Sequence, residues 1–198
     1  MLEFLRTGGK LSERKARLFA AACCRRIGHF LDEGQRKAVE QAEWYAERAT
    51  GRWYPAGGVV GRVSPDAASA ASAAVYAAYP DGDPGVVATY AAAALASADA
   101  DFDAERGAQA ALLRDIFGSP FRPPRVAPSV LSWNDGTIVK LASAVYEERD
   151  FTQGRMGVIA DAMEEAGCTD QQVLSHLREQ GVHHVRGCFV VDLLLGRE

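Results

Sequence analysis

Apolar residues recur at intervals of three and four along nearly every stretch of this 198-residue chain that proline and glycine leave uninterrupted. Phe19, Cys23, Ile27 and Phe30 form one such stripe, widened by Leu18 and Ala22. Ala38, Val39, Ala42, Tyr45 and Ala46 form a second, and Ile138, Leu141, Ala142, Val145 and Tyr146 a third. That period puts one apolar face on a helix. The only segment whose composition suits a strand is 187–195, with Phe189, Val190 and Val191. A lone strand leaves its backbone groups unpaired, and Leu193, Leu194 and Leu195 favour helix, so this segment is also read as helical. The expected fold is all-α: one domain over 1–198, an irregular multi-helix bundle of about seven to nine helices.

Caps and breakers set the expected boundaries. Ser12 at N-cap with Glu13 behind it starts a helix over 11–31, and a second covers 34–50. Pro55, Gly57 and Gly58 make 51–61 a loop. Ser64-Pro65-Asp66 opens a helix of mostly Ala and Ser, and a further Ala-rich helix covers 84–98 after the turn at 79–84. A helix over 99–116 carries Phe102, Leu112, Leu113 and Ile116 inward, with Gln109 interrupting that face. Prolines make 117–132 an extended connection, which offers a subdivision into 1–116 and 133–198. Asn134-Asp135-Gly136 is a turn, with helices expected over 137–149, 155–166 and 170–178. Gly167 is expected in the left-handed conformation after the middle of these, and Thr169 as the next N-cap.

Composition excludes several classes. Lys and Arg total 22 against 26 Asp and Glu, a net charge of −4, which argues against a general nucleic-acid binder. The charge is uneven, with seven Arg/Lys against two Glu in residues 1–30. Arg14, Arg17, Arg25 and Arg26 then either dock on acids of the same chain or form a partner surface. No apolar run is long enough to span a membrane, and the N-terminus lacks a secretory signal pattern, so the expected location is cytoplasmic. Four cysteines are too few for a disulfide scaffold.

The residues that suggest chemistry lie near the C-terminus. Cys168, His176, His184 and Cys188 mix thiol and imidazole, the donors a closed tetrahedral zinc site uses. His184 and Cys188, four apart, share a face if the last helix starts early. Asp192 continues that face as a carboxylate that can orient a ligating imidazole, and His183 is an alternative to His184. The competing reading is ordinary core cysteines and capping histidines, since no CxxC knuckle is present. Cys188 with His184 as its base offers a weaker hydrolase reading, without an oxyanion loop or orienting third residue. Glu147-Glu148 and Glu164-Glu165 lack a Glu-x-x-His motif, Gly57 to Gly61 lacks the Gly-Lys-Ser/Thr of a phosphate loop, and Cys23-Cys24-Arg25-Arg26 reads as packing more than as a reactive thiol. Trp133 beside the Asn-Asp-Gly turn suits an anchor, and Phe121-Arg122-Pro123-Pro124 suits a spacer or a peptide-binding edge.

Several strings carry a family likeness. Met1 to Arg6, Ser12 to Ala20, Cys23-Cys24-Arg25-Arg26-Ile27, Phe117-Gly118-Ser119-Pro120-Phe121-Arg122-Pro123 and Trp133 to Ala142 are among them. The sharpest are Glu164-Glu165-Ala166-Gly167-Cys168, then His176, then His184 to Gly196. In these the chain resembles an uncharacterised bacterial family abundant in planctomycetes, over most of its length and only loosely over 54–108. Such proteins occur alone or beside short repeated companion domains and have no assigned activity. The resemblance implies that Cys168, His176, His184 and Cys188 are kept in the group, often with Trp where this chain has Phe189. The expected function is a non-enzymatic protein-interaction or regulatory module with a protein partner, Arg14, Arg17, Arg25, Arg26, Phe121 and Trp133 being the candidate contacts. The alternative is a module stabilised by structural zinc that senses metal or redox state.

Overall fold

A computed structural model describes residues 2–9, 11–48, 91, 102–181 and 183–197. The described residues are helical with no strand. The loop at 51–61, the Ser64-Pro65-Asp66 start and the two Ala-rich helices lie outside them, save Ala91, which is helical and buried. The chain divides into two compact units, Met1–Leu113 and Arg114–Glu198.

In the first unit, α1 (Leu2–Thr7) adds a short helix ahead of the first one expected. The next, α2 (Glu13–Arg26), begins where Ser12 accepts a hydrogen bond from the Lys15 amide at 3.3 Å. It stops at Arg26, short of the expected 31, because Gly28 does not favour helix and the chain tightens into a 3-10 turn, Gly28–Phe30. Helix α3 (Glu33–Arg48) opens with a reciprocal cap: the Gln35 amide donates to Asp32 Oδ1 at 2.8 Å and the Asp32 amide to Gln35 Oε1 at 2.9 Å. Ala38, Ala42 and Ala46, four apart and buried, let α3 lie close on α2.

The N-terminal arginines meet acids of their own unit. Arg14 pairs with Glu47 at 3.2 Å, Arg17 with Glu13, and Arg25 with Glu43 at 2.5 Å. Arg26 reaches Glu105 on α4 (Phe102–Phe117) at 2.7 Å. Of the two readings of the basic stretch, these pairs follow the one in which the arginines dock on the chain's own acids.

Cys23 and Cys24 are free thiols buried in α2. Burial pushes Cys24 from 9.0 up to about 12. The unfolded thiol ionises near 9.0 while the folded one keeps its proton, so this contribution to stability is complete below pH 9 and drains away as pH rises toward 12. At about pH 10.5 one such thiol costs about 2 kcal/mol. Cys24→Ala is expected to flatten that part of the alkaline slope, read as the change in urea midpoint between pH 8 and about pH 10.5.

The second unit begins inside α4. Beyond Phe117 the chain is irregular through residue 127, and α5 (Pro128–Glu148) starts there. The extended connection is therefore shorter than the expected 117–132, because Pro128 is already fixed for a first helical position. The expected turn interrupts α5. Trp133 is extended, and Asn134, Asp135 and Gly136 are left-handed at φ 48°, 56° and 72°. Asn and Asp are the side chains that tolerate this region best. Helix α6 (Gln153–Glu165) ends at Gly167, φ 87°, where the Cys168 amide donates back to Met163 O at 2.9 Å.

Helix α7 (Gln171–Arg178) is capped by Asp170, whose Oδ1 accepts from the amides of Gln172 at 2.9 Å and Val173 at 3.4 Å. Asp170, one residue on, takes the place expected for Thr169, since its carboxylate accepts both amides. The last segment is helical as expected, α8 (Phe189–Leu195). Ile138, Tyr146, Met156, Ile159, Leu177 and Val190 lie in the core these helices share. Among the described residues, no helix is long and apolar enough to cross a membrane.

Candidate metal centre

The second unit gathers four polar side chains in one place: Asp115, His184 and Cys188, all buried, and His176, whose side chain is 11% exposed. Asp115 projects from the last turn of α4, on the apolar face that Leu112 and Ile116 mark. His176 comes from the last turn of α7. His184 lies in the irregular segment before α8, and Cys188 occupies the N-cap position of α8. The expected shared helical face of His184 and Cys188 does not form. Gly187 at φ 95° turns the chain, and a reverse turn closed by the Cys188 amide on Val185 O at 2.9 Å brings the two together instead.

One oxygen is the hub. Asp115 Oδ1 lies 2.7 Å from His184 Nδ1 and 3.0 Å from His176 Nε2. Its other oxygen accepts the Val185 amide at 2.9 Å. Cys188 Sγ lies 3.3 Å from His176 Nε2 and 4.0 Å from His184 Nδ1. The four donor atoms all fall within 4.8 Å of one another, a set able to bind a metal ion. The two imidazoles meet edge to face at 4.7 Å, and the Phe189 ring covers His176 at 4.4 Å.

The electrostatics follow from burial. Burial works against an ionised Asp115, but hydrogen bonds from His176 and His184, with their charge, outweigh it and hold the carboxyl below its ordinary value. Cys188 moves the other way: burial pushes its thiol well above the usual value, and the charge of Asp115 adds to the effect. His184 Nε2 is buried without a hydrogen-bond partner.

Three of the four expected ligands, His176, His184 and Cys188, come together, and His183 is exposed. Cys168 is not in the group. Its amide closes the turn after α6, and its side chain packs in the core beside a groove of about 580 Å³ lined also by Arg122, Arg125 and Thr169. No family model, curated protein or solved structure matches this chain.

The carboxylate facing the imidazoles is Asp115, which sequence reasoning missed; Asp192, expected in that place, is buried in α8. An acid spaced three from Leu112 and one from Ile116, on a stripe otherwise apolar, was the available signal. Of the expected contacts in this unit, Trp133 packs against the core and Phe121 is 79% exposed.

Proposed function

We propose that this chain is a non-enzymatic regulatory or protein-interaction module of the cytoplasm, whose C-terminal unit is held together by zinc on Asp115, His176, His184 and Cys188. This reading also assigns it to the planctomycete-abundant group it resembles. The observation that carries it is the convergence of four donors, two nitrogens, one oxygen and one sulfur, within 4.8 Å. Zinc bonds of about 2.0–2.3 Å in a tetrahedron imply donor–donor edges of roughly 3.3–3.6 Å. Four of the six separations are 2.7, 3.0, 3.3 and 4.0 Å and all six lie within 4.8 Å, so side-chain shifts of about 1 Å would seat the ion. Four protein donors leave no position for a substrate, which suits a structural or sensing ion.

The set has two costs, the first being the proton that the buried Cys188 thiol must give up to bind as thiolate. The second is that ligation through His184 Nδ1 puts the proton on Nε2, a buried N–H without an acceptor, worth about 1–3 kcal/mol. Structural zinc contributes on the order of 10 kcal/mol, so the ion prevails.

A cysteine hydrolase finds less support in the same geometry. Cys188 sulfur faces the nitrogen of His184 that Asp115 already engages, burial holds the thiol protonated, and the side chain is fully buried. A nucleophile needs the opposite: a depressed thiol pKa and access.

Metal analysis of tag-free protein is the test. The expected result is about one zinc per chain, lost in His176→Ala and Cys188→Ser and retained in Cys168→Ser. Zinc near zero after supplementation and buffer exchange would sink the reading. Loss in Cys168→Ser with retention in Asp115→Ala would replace the oxygen ligand by the second sulfur.

A further inference from the structure

We infer that Phe189 is the cover of this centre, held in place by Gly118, and that the pair sets how fast the metal exchanges. The inference rests on the metal reading above. Phe189 follows Cys188 directly and opens α8. Its ring lies 4.4 Å from the His176 ring, tilted by 46°. The ring also meets the backbone where α4 ends: a Cβ placed on Gly118 would fall 2.9 Å from Phe189 Cγ and 3.0 Å from Cδ2. Gly118 is three residues beyond Asp115, and its amide closes the helix on Arg114 O at 2.9 Å. One aromatic ring thus touches the segment that carries Asp115, lies tilted against His176 and is bonded through the backbone to Cys188.

The glycine is required twice over. Its φ of 61° is left-handed, and its missing side chain is the space the ring occupies. A chelator or water reaching the donors from this side must displace the ring, which is itself buried. Ligand exchange at a closed site needs such access, so an apolar lid against one imidazole slows it.

The experiment loads the intact protein with zinc and follows transfer of the ion to the chromogenic chelator 4-(2-pyridylazo)resorcinol. Phe189→Ala is expected to release zinc at least tenfold faster than the parent, and Phe189→Leu, which keeps apolar bulk without the flat ring, to fall between. Gly118→Ala is expected to match Phe189→Ala, because its methyl expels the ring. Gly196→Ala is the control: φ there is 63°, with nothing within 4 Å of the added carbon. It carries the same left-handed backbone strain without touching the ring, and its release rate should stay within twofold of the parent. Release within twofold of the parent in both Phe189→Leu and Gly118→Ala, with zinc bound, overturns the cover and leaves the metal reading standing. Equal acceleration in Gly118→Ala and Gly196→Ala also overturns it, since strain alone would then explain the effect. A parent that binds no zinc overturns both.

Discussion

Asp115→Ala is expected to cost the C-terminal unit roughly 3–5 kcal/mol, the range for removing one partner from a buried charged network. The carboxylate is completely shielded from solvent and takes hydrogen bonds from His176, His184 and the Val185 amide. Without the metal, truncation leaves His184 Nδ1 and the Val185 amide without this acceptor and His176 Nε2 with the weaker Cys188 sulfur at 3.3 Å, each lost bond worth about 1–3 kcal/mol before relaxation. Asp115→Asn keeps the shape and one acceptor oxygen, so a smaller loss is expected. The pH profile adds an independent check. The folded carboxyl titrates below its ordinary value of 3.8. Its contribution is therefore complete above that value and is lost as pH falls through the lower, folded one. Asp115→Ala should remove this acid limb, measured as urea midpoints from pH 6 down to pH 3. An alanine variant with parental stability and zinc content would show that the carboxylate is not the hub.

Arg26→Ala is expected to be nearly as damaging to the N-terminal unit, at about 3 kcal/mol. Glu105 is nearly fully buried, and Arg26 grips both its oxygens, Nε at 2.8 and 3.1 Å, while Gln109 Nε2 donates to it at 3.0 Å. Without the guanidinium, the hydrogen bond left to this buried carboxylate among the described residues comes from the neutral Gln109 amide. The exposed pair Lys37–Glu33, at 2.6 Å on one face of α3, is the comparison: Lys37→Ala should cost about 0.5 kcal/mol or less. The double variant Arg26→Met, Glu105→Leu should recover most of the loss, because an apolar pair of similar size carries no desolvation penalty. Thermal or urea unfolding of the four proteins checks this. Equal small losses for Arg26→Ala and Lys37→Ala would mean the arginine is free for another role.

The stripes at three and four residues foretold most of the described helices, since burial of a face is written locally. Their ends were legible where one side chain decides them, as at Ser12 and Gly167, and less so where two compete. Asp170 displaced Thr169 at a cap because a carboxylate takes two amides, and Pro128 started a helix where prolines as a class argued for extended chain. The site was legible in part. His176, His184 and Cys188 are close in sequence and chemically conspicuous. Asp115 is neither, lying 69 residues before His184, and only the folded chain brings it there. Cys168 drew attention by residue type, yet the glycine-centred turn after α6 commits its backbone to capping and its side chain to the core.

Because Asp115 sits at the end of a helix that begins in the other unit, the proline-bearing stretch after it is a misleading place to divide the chain. A fragment starting at Ser119 would retain both imidazoles and the thiol, yet lose the oxygen that orients them and the glycine against which Phe189 rests. Any recombination of this part with foreign sequence has to carry the end of α4 along with it.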